Sequence, residues 1–265
     1  MRDKARPQAC HESGLDETTR REAILALEDI TFAYPHGGPD GGPRPVLKGV
    51  TLALRQGQRV GLYGPNGSGK TTLLRCVTGL NRVDRGTIWF HGRQTLREAD
   101  FRPLRCAVGY VLQNADDQLF FPTVIEDVAF GPLNLGLPER QARERAAATL
   151  ERLGLAGFED RLTHRLSGGE KKLVTLACVL AMEPEALLLD EPTAGLDSES
   201  HARLTELLAS LPTARVTISH DWEFLTRVSD EFCTLEDGRL SWRAPAVVHT
   251  HTHAHPHGDT RHTHD

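Results

Sequence analysis

The sequence predicts an α/β fold: a mixed sheet with helices, a helical subdomain and an N-terminal antiparallel β region. Three observations lead there. A short apolar stretch, Arg59–Tyr63, runs into a glycine-rich loop and then a helical pattern. The apolar runs Ala186–Leu189 and Val216–Ser219 are continuous, as in parallel strands buried on both faces. Between the loop and those runs lies a stretch with apolar residues at helical spacing.

Residues 1–22 are polar, without an apolar run, and read as a disordered tail rather than a secretory signal. Residues 23–244 read as one domain. Its first β-type segments, Ile24–Tyr34 and Val46–Leu54, flank the Gly/Pro-rich loop HGGPDGGPRP. Val50, Leu52 and Leu54 alternate as on a strand with one buried face. Further β-type segments cover Gly86–His91 and Ala107–Leu112. From about 114 to 180 the chain turns helical: Ala142, Ala146, Leu150 and Leu153 fall on one face of 138–153, and Gly154 stops that helix. Phe232–Leu240 reads as a hairpin around Glu236-Asp237-Gly238. Residues 245–265 form a low-complexity flexible tail that holds seven of the thirteen histidines.

Composition excludes some functions. The net charge of −5 gives no basic excess for nucleic acid. Cys10, Cys76, Cys106, Cys178 and Cys233 form no CxxC pair and read as reduced thiols of a cytosolic protein. No stretch approaches the ~20 apolar residues that span a bilayer, so any membrane association runs through partner subunits.

Gly64-Pro65-Asn66-Gly67-Ser68-Gly69-Lys70-Thr71 fits G-x-x-x-x-G-K-[ST], the phosphate loop of P-loop NTPases. Glycines let the backbone curl round phosphates with N–H groups inward, and the helix that follows adds its positive end. Lys70 offers a point charge to the β- and γ-phosphates, and the Thr71 hydroxyl offers a ligand to Mg²⁺. Thr72 continues the loop into its helix. Downstream, Ala186–Leu189 ends in Asp190, suited to hold Mg²⁺ through water, and Glu191, suited to act as general base on the attacking water. Leu166-Ser167-Gly168-Gly169-Glu170 reads as a capping box, Ser167 with Glu170. Its glycines, Gly168 and Gly169, would let a phosphate approach backbone N–H groups.

In this order the motifs resemble the ATP-binding subunits of ABC transporters, over about residues 24–240. The resemblance adds a Q-loop glutamine, Gln113, the signature LSGGE at Leu166–Glu170, the D-loop Ala194-Gly195-Leu196-Asp197 and the switch histidine, His220. It implies that Tyr34 stacks on adenine, that Gln113 touches Mg²⁺ and the attacking water, and that His220 contacts the γ-phosphate and steadies Glu191. It also implies a dimer, homo- or heteromeric, in which Ser167, Gly168 and Gly169 of one subunit complete the ATP site of the other. The stretch Val111–Pro132 and the run LSGGEKK are similar to energy-coupling-factor ATPases of the cobalt and nickel uptake group. That similarity implies a transmembrane coupling subunit, a membrane substrate-binding subunit and a peripheral place on the cytoplasmic face of the cell membrane.

The alternating His249, His251, His253, His255 and His257 put imidazoles on one side of an extended chain, which suits Ni²⁺, Co²⁺ or Zn²⁺. A solvated tail without a role is the plainer reading. A non-transport ABC ATPase, and an importer of a vitamin or other substrate, remain as alternatives for the whole chain.

Overall fold

The computed structural model describes residues 14–38 and 40–243. The N-terminal β region is an antiparallel sheet. β1 (Ala23–Tyr34) pairs with β2 (Arg44–Arg55) and with β4 (Arg85–Phe90), and β5 (Arg93–Thr95) edges β4. Val50, Leu52 and Leu54 are buried as the alternation requires, but Ala53 is buried too. Its face of the sheet is covered by Leu15, which packs with Ala23, Ala26 and Trp89 beneath the short helix α1 (Glu17–Glu22).

That helix corrects the tail expected over 1–22. Asp16 caps it by accepting from the Thr19 N–H at 2.6 Å. Arg20 pairs with Glu28 at 2.7 Å and lies over the Trp89 ring. A helix of six residues is too short for periodicity to register. The rest of the expected N-terminal tail, and the whole of the histidine tail at 245–265, lie outside the described residues.

The second sheet holds β3 (Arg59–Tyr63), β6 (Val108–Val111), β7 (Ala186–Asp190), β8 (Ala214–Ile218), β9 (Glu231–Glu236) and β10 (Arg239–Arg243), in the order β10-β9-β3-β8-β7-β6. All its pairs are parallel except the hairpin β9–β10, so the sheet is mixed, as predicted. Every residue of β7 and β8 is buried; β7 reads as the apolar run Ala186–Leu189, whereas β8 alternates Ala214, Val216 and Ile218 with the buried Arg215 and Thr217. Around this sheet stand α2 (Lys70–Val77), α3 (Glu98–Ala107), α7 (Ser198–Ser210) and α8 (Trp222–Val228).

The helical subdomain consists of α4 (Val124–Asn134), α5 (Glu139–Arg152) and α6 (Gly168–Leu180). α5 buries Ala142, Ala146 and Leu150, the predicted stripe, and Gly154 follows it at φ +66. α4 packs on α5 and α6, while α6 also packs on β6. Through α6 the subdomain shares a core with Leu187 and Leu189 of β7.

One buried cation fixes the far side. Arg215 on β8 is fully buried and donates to the carbonyls of Leu211 at 2.9 Å and Val228 at 2.7 Å. These carbonyls close α7 and α8, where helix ends leave acceptors unsatisfied. Burial pushes the guanidinium down to about 10.

Candidate nucleotide site

β6, β7, β8 and β3 lie side by side and parallel, so their carboxyl ends share one edge, the place where open α/β sheets bind ligands. Each strand delivers part of the predicted set. Gly64–Thr71 follows β3, Gln113 follows β6, Asp190 ends β7 with Glu191 next, and His220 follows β8. Gln113, Asp190, Glu191, His220 and the loop from Asn66 to Thr71, apart from Ser68, line one cleft of ≈ 660 Å³, together with Tyr34 and Thr72.

The loop's shape requires glycine at its two ends. Gly64 sits at φ +142, and a Cβ there would stand 2.4 Å from the Leu235 carbonyl oxygen. Gly69 is left-handed at φ 106 and opens α2. Asn66 and Gly67 line the cleft, whereas Gly64 and Pro65 border a smaller cleft of ≈ 410 Å³ behind the loop, against Tyr63 and Trp222. The Ser68 hydroxyl is buried without a hydrogen-bond partner among the described residues.

Lys70 is 7% exposed and donates to the Gly64 and Pro65 carbonyls at 2.8 and 3.0 Å. Burial lowers its pKa, and Glu191 and Asp190 work against that. Its Nζ stands 3.4 Å from His220 Nε2, which in turn stands 3.3 Å from Glu191 Oε1. The imidazole can accept from Lys70 or donate to Glu191, according to its tautomer. The His220 N–H also donates to Glu191 Oε2 at 3.3 Å. Glu191 has φ 49, a conformation uncommon outside glycine. Its backbone N–H is anchored on the Ile218 carbonyl at 3.0 Å.

Thr71 Oγ1 donates to Asp190 Oδ1 at 3.1 Å, so the two predicted Mg²⁺ residues meet. Tyr110, which sequence reasoning missed, donates to Asp190 Oδ2 at 3.2 Å. Asp190 is 1% exposed, and burial raises its pKa above the usual carboxylate range despite these bonds. A raised folded pKa gives stability at low pH that is lost as pH rises through that value. Asp190→Asn is therefore expected to melt above the wild type at pH 7 without nucleotide. The gap should close as pH falls through the Asp190 pKa, and it is read by thermal melts across a pH series.

Tyr34 reaches the cleft from β1, its hydroxyl 3.2 Å from Thr72 Oγ1. Its ring meets Phe32 edge-on, and the Arg44 guanidinium stands 5.4 Å from the ring centroid. Arg44 also lines the cleft and was not anticipated, because it sits in the Gly/Pro-rich loop that pattern reading assigns to connection.

The structure does not bring Ser167, Gly168 and Gly169 to this cleft. Ser167 caps α6: its Oγ accepts from Glu170 N at 3.2 Å, and Glu170 Oε2 accepts from Ser167 N at 2.7 Å. Ser167 and Gly168 are exposed, and a Cβ on Gly168 would meet nothing within 4 Å. Gly169 is buried, and a Cβ there would stand 2.3 Å from Ser200 Oγ on α7, so glycine permits a close helix contact. His249, His251, His253, His255 and His257 lie outside the described residues.

A phosphate loop, a buried Asp-Glu strand end and a histidine on adjacent parallel strands define a P-loop nucleotide hydrolase. The model of the ABC transporter family matches residues 47–194. A protein from Nitratidesulfovibrio vulgaris named as an ABC transporter ATP-binding protein is 52% identical over 93% of this chain and 88% of its own length. This chain belongs to the ABC transporter family, as an ATP-binding ABC ATPase. The energy-coupling factor transporter ATP-binding protein EcfA of Methanothermobacter thermautotrophicus is 42% identical, covering 82% of this chain and 69% of that one. The cobalt import ATP-binding protein CbiO of Rhodobacter capsulatus is 44% identical over 82% and 77%. Among solved structures, cbiO1 from Clostridium perfringens, part of the ABC transporter complex cbiONQ, superposes with TM-score 0.72 at 34% identity, covering 83% of this chain and 87% of that one. The ATP-binding cassette MJ0796, in a dimeric post-hydrolysis state bound to ADP and Pi, superposes with TM-score 0.74 at 26% identity over 82% and 96%.

Proposed function

We propose that this chain energises a membrane importer for a transition-metal cation, Ni²⁺ or Co²⁺, and hydrolyses ATP as a dimer with two shared sites. The observation that carries the dimer is the division of the motifs: the phosphate loop, Gln113, Glu191 and His220 share one cleft, while Ser167 and Gly168 are exposed elsewhere. An exposed, glycine-bearing helix start is suited to the γ-phosphate of ATP held by a second subunit. The dimeric MJ0796 cassette supports the same arrangement. A heterodimer with a second ATPase subunit would use the same surfaces.

In the shared site the Gly64–Lys70 backbone and the Lys70 ammonium bind the phosphates, and Tyr34, with Arg44 beside it, receives the adenine. Thr71, Asp190 and Gln113 offer oxygen donors of the hard kind that Mg²⁺ takes, so these residues would hold the ion. Bound there, Mg²⁺ would neutralise phosphate charge. Glu191 accepts a proton from the attacking water as its oxygen bonds to the γ-phosphorus and the bond to the β-phosphate oxygen breaks. His220 holds that carboxylate in place.

Coupling to membrane subunits is supported by an apolar patch past Gln113. Phe120 is 72% exposed, with Phe130 and Leu133 also exposed, an arrangement that invites a partner. Asp127 fixes the corner by accepting from the Phe120 and Phe121 N–H groups at 2.8 and 3.1 Å. Among the described residues no helix is long and apolar enough to cross a membrane, so a transmembrane coupling subunit and a membrane substrate-binding subunit would supply the path. This chain would then sit peripherally on the cytoplasmic face. Phe120→Asp is expected to abolish co-purification with the coupling subunit while the isolated chain binds ATP as before. Undiminished co-purification would remove Phe120 from the interface.

The metal assignment rests on the similarity to the cobalt import protein and on the histidine tail. An importer of a vitamin or another substrate, with the tail as a metal buffer, is the second reading. Deletion of residues 245–265 is expected to lower uptake of radiolabelled Ni²⁺ or Co²⁺ in cells that carry the complete transporter, at unchanged ATPase rate. Unchanged uptake would leave the tail dispensable. Binding of Ni²⁺ by the purified chain should weaken below the histidine pKa of ~6.5, because protons compete for the ligating nitrogens.

A further inference from the structure

Lys172 lies on α6, in the turn after the exposed Ser167 and Gly168. It is a lysine at 7% exposure, a burial that lysines rarely reach unpaired. No carboxylate oxygen pairs with it among the described residues. Its Nζ donates to two main-chain carbonyls, that of Gln113 through a short bond and that of Glu191 at 3.3 Å. Burial lowers its pKa, and Asp190 and Glu191 hold the charge against that.

These two carbonyls belong to the residues placed next to the attacking water. Gln113 lies in the connection from the sheet to the helical subdomain, and Glu191 begins the segment after strand β7. Neither is otherwise bound to α6 by a hydrogen bond in the described residues. The helix carrying the signature thus holds both catalytic loops of its own subunit through the Lys172 ammonium, while Lys171 pairs with Asp116 further along the Gln113 segment at 2.6 Å and does not reach Glu191. The same helix, by its N-terminus, meets the ATP of the other subunit. A displacement of α6 on closure therefore moves Gln113 and Glu191 together.

We infer that Lys172 is a positioning residue that couples the two shared ATP sites, holding the Gln113 and Glu191 main chains in register with the signature helix. The inference rests on the shared-site reading above. Lys172 touches neither nucleotide nor water in this account; it acts through the backbones it holds.

The test uses the full chain as Lys172→Met, as Lys172→Arg, and as Lys172→Met combined with Glu191→Gln. Lys172→Met is expected to lower kcat at least about tenfold, the scale on which misplaced catalytic groups lose rate. KM for ATP should move by less than about threefold, since no nucleotide contact changes. Lys172→Arg restores charge and donors and is expected to recover roughly half of the lost rate or more. In the Glu191→Gln background, Lys172→Met should leave ATP-dependent dimerisation intact by light scattering. Unchanged kcat in Lys172→Met overturns the inference. So does a loss of rate matched by a rise in KM, or one that a well-folded Lys172→Arg does not recover, because these mark a packing role. Should Lys172→Met lack a cooperative melt, Lys172→Gln, which keeps a donor at shorter reach, is judged by the same kcat and KM criteria. A Glu191→Gln chain that never dimerises refutes the shared site itself, and this inference with it, independently of the Lys172 rates.

Discussion

Glu191→Gln is expected to lower steady-state ATP hydrolysis by about two to four orders of magnitude, the usual contribution of a general base. The exchange is nearly isosteric. The amide oxygen can still accept from the His220 N–H, and the main-chain bond to Ile218 does not depend on the side chain. The strained φ of 49 is retained as well. What disappears is a group able to take the water's proton. ATP binding should persist, because the phosphate loop and Tyr34 are untouched, and the ATP-bound dimer should accumulate. Phosphate release at the wild-type rate would remove Glu191 from the role of base.

Lys70→Met is expected to weaken ATP binding by about 1.5–3 kcal/mol, the range for hydrogen bonds to charged groups, or roughly one to two orders of magnitude in Kd. The variant keeps the volume and loses the charge. Lys70 is buried against the carbonyls of Gly64 and Pro65, and desolvation already disfavours its charged form. The nucleotide-free fold should therefore melt close to the wild type, which separates loss of binding from loss of folding. Titration with a fluorescent ATP analogue measures the first, and a thermal melt the second. An unchanged Kd would mean that the main-chain N–H groups of the loop suffice to hold the phosphates.

The parts of the site that a local pattern dictates were legible in the sequence. A loop that must curl round phosphates needs glycine at Gly64 and Gly69, and its strand-loop-helix context is visible in a few residues. The fully buried strand β7 announces itself as an apolar run, and the acids at its end follow; β8 does so only in part, because it buries Arg215 and Thr217 among its apolar residues. Contacts across large sequence separations were not legible. Tyr110 reaches Asp190 over 80 positions, and Lys172 reaches Gln113 over 59. A signal for Lys172 existed: its place on α6 falls among Leu173, Leu176 and Gly169, all buried, so helical spacing points it inward. The packing of Gly169 was not legible for a related reason. The sequence marks it as a glycine beside Gly168, and only packing against Ser200 distinguishes a close helix contact from an open face. α1 escaped notice because six residues carry no period, and α3 because Pro103 lies within it.

The most direct measurement of the shared site mixes two inactive chains. Lys70→Met disables the phosphate loop, and Ser167→Arg disables the exposed signature. Each chain alone should fail to hydrolyse ATP, since every site in its homodimer contains one disabled half. In a mixed dimer the intact loop of the Ser167→Arg chain meets the intact signature of the Lys70→Met chain, and one complete site forms. With a shared site, mixing restores ATP hydrolysis. A mixture that forms dimers yet remains as inactive as its components, or a Ser167→Arg chain that hydrolyses ATP at the wild-type rate by itself, would contradict it.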